Sequence, residues 1–287
     1  MNSGAATRLP VTAMIFTLDE EIHLPSCLES LRWCDDIVII DSFSSDRTLE
    51  IARLAGARVL QNRFSGFGDQ RNWALKNAAP RHPWVLVLDA DERVPPEMTG
   101  ELERILPAVA GDVAAFQMAR RFYFWGRWLR YSSLYPSYVV RLVRHGRVVY
   151  VNRGHAETQQ VDGEIRSLGT DLIDENLKGL AAWFSRQNWY SSQEAAHELR
   201  EEQAPFRIKD VASADPLARR AALKRIAAAL PGRPVWYFLF SYVVRGGFLD
   251  GTRGFVFCLL KAAYQAMIVM KKYELRQSAA GGPQGVE

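Results

Sequence analysis

Apolar and polar residues alternate in blocks along the first third of the chain, and the period of the blocks switches back and forth. "VTAMIFT" (11–17) is a run of apolar and β-branched side chains, which predicts a strand. "DEEIHLPSCLESLRW" (19–33) places Ile22, Leu24, Leu28 and Leu31 at helical spacing. "DDIVIID" (35–41) predicts a second strand. "SFSSDRTLEIARLAG" (42–56) reads as loop then helix, with Ser45 or Asp46 as N-cap and Gly56 as the stop. "ARVLQ" is a weaker third strand, "FGDQRNWALKNAA" a helix, "WVLVLD" (84–89) a fourth strand, and "PPEMTGELERIL" a helix opened by proline.

Strand and helix thus alternate over the first 107 residues. That order predicts an α/β fold: a mostly parallel sheet with right-handed crossovers and helices on both faces. Ligands of such sheets bind beyond the carboxyl ends of the strands. Three polar clusters fall there, at residues 17–21, 41–46 and 89–92. Residues 113–170 change character: "VAAFQMARRFYFWG" and "SYVVRLVRHGRVVYV" predict strands added antiparallel to the sheet. A helix-rich segment is expected from Asp174, beginning with the amphipathic "AAWFSRQNWYSSQEAAHELREEQ". A polar stretch (203–216) separates "LARRAALKRIAAAL" from an apolar end. The expected organisation is therefore a disordered start (1–9), an α/β domain (10–173), a helical region (174–276) and a disordered tail (277–287).

Composition adds little until it is divided along the chain. The 48% hydrophobic and 24% charged residues of this 287-residue chain are ordinary for a folded protein. Cys27, Cys34 and Cys258 have no metal-binding spacing and cannot all pair, so reduced thiols of a cytosolic protein are expected. No long apolar run follows a basic start, so no signal peptide is expected. The net charge of +4 is unevenly placed: residues 200–276 carry 14 basic and 6 acidic side chains. A basic C-terminal third suits an anionic partner. Its aromatics lie in apolar runs rather than among arginines and lysines, unlike a nucleic-acid stacking groove, so no nucleic acid is expected. "VWYFLFSYVV" (235–244) and "GFVFCLLKAAYQAMIVM" (254–270) are short or interrupted against the roughly 20 apolar residues of a spanning helix. Arg233, Arg245, Arg253, Lys271 and Lys272 flank them, which suits helices lying on an anionic membrane surface. An ordinary buried helix pair is the alternative.

The candidate chemistry lies in "WVLVLDADERV" (84–94), where an apolar strand runs into Asp89, Asp91 and Glu92. A helix start accounts for one acid, through the helix dipole. Two acids at i and i+2 share one side of an extended segment and repel each other unless a cation sits between them. Oxygen ligands with room for phosphate oxygens suit Mg²⁺ or Mn²⁺. From the residues alone, a metal–diphosphate site and a plain helix start both remain open.

The order "TLDEE…LPSCLESLRWCDDIVIIDSFSSDRTLEIARLAGARV…FGDQRNWAL…WVLVLDADERV" resembles family 2 glycosyltransferases of the GT-A fold. "WGRWLRYSSLYPSYVVRLVRHGR" and "GFLDGTRGFVFCLLKAAY" extend it to the branch of lipopolysaccharide core β-glucosyltransferases. Two motifs depart from that branch: Asp19-Glu20-Glu21 stands where it reads Asn-Glu-Glu, and "GHAET", with His155 and Glu157, where it has His-Glu. The resemblance implies a donor half (10–107) and an acceptor half (108–173). It implies that Asp41 hydrogen-bonds the uracil ring and that Asp89 lies near the ribose, while Asp91 binds the metal bridging both phosphates. Arg71 would lie beside the nucleotide and the backbone of 17–19 would flank the base, with Thr17, Asp19, Glu21 and Ala90 completing the donor set. Glu157 is the candidate base, with Asp171 and Asp174 in reserve, and His155 a candidate third ligand to Mn²⁺ or Mg²⁺. The expected activity is metal-dependent, inverting transfer of a hexose from a UDP-sugar to a lipid-anchored saccharide of the bacterial envelope. The enzyme is expected to be peripheral at the inner face of the cytoplasmic membrane. A polyprenyl-phosphate-type acceptor and a non-catalytic nucleotide-sugar binder are the alternatives.

Overall fold

Three of the four runs are almost unbroken in their apolar character because both faces of the strands they form are covered, while the weaker run, Arg58–Gln61, forms a half-buried edge strand. In the computed structural model they lie side by side and parallel, in the order β3 (Arg58–Gln61), β2 (Asp36–Asp41), β1 (Val11–Thr17), β4 (Trp84–Asp89). Val11, Ala13 and Ile15 enter one core with Leu24, Leu31 and Met98. Met14, Val38 and Val87 enter another, on the opposite face, with Ala74 and Ala78. Continuous hydrophobicity is what a two-sided parallel sheet requires. The structure describes residues 9–153, 156–202, 219, 222, 226 and 231–280, in two compact units that meet in sequence at Gly179 and Leu180.

The helices of the first unit are α1 (Leu24–Glu29), α2 (Thr48–Leu54), α3 (Phe67–Asn77) and α4 (Pro96–Ile105). α1 is shorter than its apolar spacing predicts, because residues 18–23 are drawn into a loop bonded to the one after β2. The residue that precedes α2 is Arg47 rather than the expected Ser45 or Asp46, but the Asp46 carboxylate still accepts the Thr48 N–H at 2.9 Å, answering one of the unpaired donors at the start of the helix. Gly56, at φ +73°, ends that segment as predicted.

The antiparallel additions are β6 (Val113–Phe124) and β8 (Tyr138–Arg144), with β8 between β4 and β6 and antiparallel to both. β9 (Val148–Arg153) leaves the sheet and pairs with β10 (Ala156–Val161) as a separate ribbon. β12 (Leu172–Glu175) pairs with β6 and with β5 (Glu92–Arg93), and the short strands β7 (Arg127–Trp128) and β11 (Glu164–Ser167) also join β6. The sheet therefore runs through Asp174, where the sequence predicts the start of a helical segment; the helix begins at Gly179.

The second unit holds α5 (Gly179–Glu202), α6 (Arg233–Leu239) continued by a π-helical turn (Phe240–Val244), and a 3-10 turn (Gly247–Asp250) that leads into α7 (Gly251–Ala280). Its apolar centre is small, with Ala195, Tyr264 and Ile268 buried together. Charge pairing supplements it. Glu198 accepts Arg233 and Lys272 at 2.9 Å each, and Glu202 accepts Lys272 at 2.6 Å. A Cβ on Gly254 would stand 2.2 Å from the Gly247 carbonyl oxygen, so only glycine lets α7 pack against the 3-10 turn. Residues 277–280, expected in the tail, belong to α7. The stretch 203–216, most of 218–226 and the termini 1–8 and 281–287 lie outside the described residues. All three cysteines are buried free thiols.

Asp36, at the amino end of β2, is 1% exposed and accepts hydrogen bonds from Thr12 Oγ1, Arg58 Nη2 and the Arg81 N–H at 2.7, 2.9 and 2.9 Å. Burial raises its carboxyl, but the bonds from Arg81, Thr12 and Arg58 outweigh that and hold it below its ordinary value. Asp36→Asn should cost about 2 kcal/mol at neutral pH. A depressed folded value places the stabilisation above about pH 4 and removes it as pH falls through that value. Urea unfolding of wild type and variant should therefore differ at pH 7 and converge in acid; a constant difference contradicts this account.

Candidate active site

β1, β2 and β4 end together. Thr17 lies opposite Asp41 in the β1–β2 ladder, and Phe16 opposite Asp89 in the β1–β4 ladder. The topology thus gathers the three polar clusters at one edge of the sheet, as the strand order predicts.

Two of the clusters close on each other. The Asp19 N–H donates to Ser44 Oγ at 2.8 Å, and Asp19 Oδ1 accepts the Ser45 N–H at 2.7 Å. The Glu20 N–H reaches Thr48 Oγ1 at 2.7 Å, and the Glu21 N–H reaches Asp46 Oδ2 at 2.9 Å. Glu21 Oε2 accepts the Arg47 N–H at 3.1 Å. Asp19 bends the loop at φ +53°, a conformation aspartate tolerates better than most residues. Asp41 has no exposed surface, and its two oxygens accept Thr17 Oγ1, the Ser44 N–H, Ser44 Oγ and Gln61 Nε2. It braces the corner formed by Thr17 and Ser44.

The third cluster is a chain of alternating charges. Glu157, on β10, pairs with Arg71 Nη1 at 3.2 Å, and Arg71 Nη2 donates to Asp89 Oδ1 at 2.9 Å. Asp89 Oδ2 accepts Arg141 Nη2 at 2.6 Å, and that nitrogen also donates to Glu92 Oε1 at 2.7 Å. Glu92 Oε2 accepts the Asp89 N–H at 3.0 Å. Arg71, Arg141 and Glu92 are all at most 4% exposed, whereas the Asp89 side chain is 36% exposed. Burial raises the Asp89 carboxyl, but Arg141 and Arg71 overcome it and hold it at about 2. For Glu92 burial prevails and the carboxyl is raised.

α3 is fixed so that Arg71 meets this chain. Asn72 accepts the Tyr150 N–H at 2.8 Å and donates to the Tyr150 carbonyl at 2.7 Å. Gly68 donates its N–H to Asn152 Oδ1 at 2.8 Å, and a Cβ there would come within 3.1 Å of the Asn152 amide nitrogen. The Arg71 guanidinium lies among Phe16, Phe67 and Tyr150, 5.3–5.9 Å from each ring centre.

Asp91 stands apart from the arginines. Residues 90 and 91 form a turn, so Asp89 and Asp91 do not share one side of an extended strand. Asp89 meets guanidinium ions, whereas Asp91 Oδ2 accepts the Asn176 side-chain amide at 2.9 Å and pairs with no basic side chain among the described residues. The Asp91 carbonyl accepts the Glu175 N–H at 3.0 Å, and Ala90 between the two acids is buried. Asp174 comes near Asp91 from β12. Burial and then the Asp91 charge push its carboxyl up to about 8, against the pull of Arg120. Among the described residues no three His, Cys, Asp or Glu side chains form a ready cation cage. His155 lies outside the described residues. Asp171 is taken up by Arg121 Nε at 2.8 Å and Tyr135 OH at 2.9 Å.

Two members of the charge chain escape the sequence reading. Glu92 reads there as the opening of a helix, yet that helix starts only at Pro96 and Glu92 is a buried acceptor in β5. Arg141 reads only as part of an apolar strand, "YVVRLVR"; a charge within a strand that has neighbours on both sides was the available signal.

Residues 12–161 match Glycosyl transferase family 2. This chain belongs to that family and is a glycosyltransferase. It is 26% identical over 285 residues to the lipopolysaccharide core biosynthesis glycosyltransferase LpsC of Rhizobium meliloti (strain 1021), covering 93% of each chain. It is 24% identical over 269 residues to the uncharacterized glycosyltransferase RT0209 of Rickettsia typhi, covering 92% of this chain and 87% of that one. Among solved structures it is similar to S. aureus TarS 1–349 in complex with UDP, with 17% identity and a TM-score of 0.46 over 93% of this chain and 91% of that chain.

Removing one member of a buried ion chain strands the others. Arg141→Met should destabilise the protein by about 3–5 kcal/mol. Adding Glu92→Met should cost less than the two single changes together, since the stranded charge is gone. Denaturant titrations of both single variants and the double variant test this, and simple additivity contradicts the network.

Proposed function

We propose that this enzyme transfers a hexose, glucose by preference, from a UDP-sugar to a lipid-anchored saccharide of the lipopolysaccharide-core kind, with inversion at the sugar carbon. The observation that carries this reading is the division of the strand-end acids: Asp89 is neutralised by two buried arginines, while Asp91, at the sheet's ligand edge, is held by the Asn176 amide and pairs with no basic side chain among the described residues. Likeness to LpsC over 93% of both chains supports the envelope saccharide as acceptor.

The donor set fits a divalent cation. Mg²⁺ and ions like it commonly take one or two protein carboxylates and complete their shell with substrate phosphates and water. Asp91 supplies such oxygens, while Asp174 on β12 is engaged by Arg120 Nη1 at 3.1 Å. A bound Mn²⁺ or Mg²⁺ would supply Lewis-acid stabilisation of the charge developing on the departing diphosphate. The protein's part is positional. The corner of Thr17, Asp19 and Asp41 flanks the base, and Glu21 and Ala90, on the neighbouring loops, complete the donor set. Asp89, ionised and partly exposed, accepts a ribose hydroxyl. Arg71 ties that acid to Glu157, and because Arg71 engages Oε1, Oε2 of Glu157 is the oxygen that takes the acceptor's proton.

The second unit supports a site of work at the cytoplasmic face of the membrane. Val235, Leu239 and Val243, and beside them Trp236, Phe240 and Val244, recur every four residues and are all at least 40% exposed. Phe248 and Leu249 extend this apolar surface, and Arg245 and Arg253, both exposed, border it. The segment Gly247–Ala279 is long and apolar enough to cross a membrane, but 44% of its most apolar window is buried within the protein, which favours lying at the interface.

Asp91→Ala should abolish UDP release from UDP-glucose in the presence of Mn²⁺ and membrane extract while leaving the folded far-ultraviolet spectrum intact; near wild-type turnover would refute the assignment. A polyprenyl-phosphate acceptor is the competing outcome of the same assay with purified acceptors. Vesicle flotation should recover the wild type on vesicles containing phosphatidylglycerol, and less of it in high salt. A Trp236→Ser/Phe240→Ser variant should remain unbound, and wild type that never floats would contradict the membrane reading.

A further inference from the structure

Three consecutive residues after β12 are fastened in place, the first to Asp91 and the next two to the loop after β1. Asn176 Nδ2 donates to Asp91 Oδ2 at 2.9 Å. The Leu177 N–H donates to His23 Nε2 at 2.7 Å. Lys178 Nζ donates to Glu20 Oε1 at 2.6 Å and to the Leu18 carbonyl at 3.1 Å. His23 closes the group, because its Nδ1 lies 2.6 Å from Glu20 Oε2.

The imidazole's protonation follows from its partners. A backbone N–H only donates, so Nε2 must carry the lone pair. The proton then sits on Nδ1 and is donated to Glu20. His23 is 1% exposed and stands at the start of α1, 154 residues from the amide it accepts. The Asn176 amide has its orientation fixed as well: Oδ1 accepts the Lys178 N–H at 3.3 Å, which turns Nδ2 toward Asp91.

We infer that His23 is a positioning residue: by accepting the Leu177 N–H it holds residues 176–178 in place, so that Asn176 aims the Asp91 carboxylate at the cation. This rests on reading Asp91 as a cation ligand. Outer partners that orient metal-binding side chains are commonly worth about 10–100-fold in metal affinity. His23 itself touches neither Asp91 nor any reacting group.

Two substitutions separate the acceptor function from packing. His23→Gln keeps an acceptor oxygen near the place of Nε2, whereas His23→Asn keeps only a donor near the place of Nδ1. Mn²⁺ binding in the presence of UDP is followed by loss of the free-ion electron paramagnetic resonance signal. Apparent KM for UDP-glucose is measured at saturating Mn²⁺. His23→Asn should weaken Mn²⁺ binding about 10-fold with little change in that KM. His23→Gln should stay within about 3-fold of wild type, and Asn176→Ala should behave like His23→Asn. Equal weakening by Gln and Asn, or wild-type binding by Asn, overturns the inference. If wild type with UDP binds no Mn²⁺ at all, the fault lies instead with the reading of Asp91.

Discussion

A buried charge must be paired, and the ligand edge of this sheet is organised around that requirement. Glu157, Arg71, Asp89, Arg141 and Glu92 alternate in sign, and each contact lies between 2.6 and 3.2 Å. Arg71, Arg141 and Glu92 are buried and are not stable there alone, since an unpaired ion in such surroundings costs several kcal/mol. The chain joins α3, β4, β5, β8 and β10, so five elements must be placed before any one charge is satisfied. The arginines also explain why Asp89 stays ionised although burial opposes it.

That arrangement changes how the two strand-end aspartates are understood. Repulsion between neighbouring acids is not what prepares a cation site here, because the Asp89 charge is balanced by protein cations. What is left over is Asp91, turned away from its neighbour at residues 90–91 and held by an uncharged amide. Neutralising one acid and leaving the other without a basic partner is the asymmetry on which the proposed cation site rests. The loop after β1 contributes twice, bracing the corner near Asp41 on one side and, through His23 and Glu20, fastening the segment that carries Asn176 on the other.

The parallel half of the sheet was legible in the sequence because two-sided burial leaves an unbroken apolar run, and "VTAMIFT", "DIVIID" and "WVLVLD" have no helical reading of comparable strength. The carboxylates at their ends were legible for the same reason, since charge directly after such a run is conspicuous. Arg141 and Glu92 were not, because pairing joins residues 49 apart and no local pattern records it. β12 was missed because "LIDE" is four residues long and owes its strand form to β5 and β6, a tertiary choice over local propensity. His23 was hidden in a stretch with helical spacing that the loop contacts override.

The division of roles between Asp89 and Asp91 is open to a direct measurement: the anomalous difference density of a crystal soaked with UDP and Mn²⁺. The account predicts one manganese peak within bonding distance of an Asp91 oxygen, with Asp89 still paired to Arg71 and Arg141. A peak on Asp89 with those arginines displaced, or no peak at the strand end while UDP is bound, would contradict it.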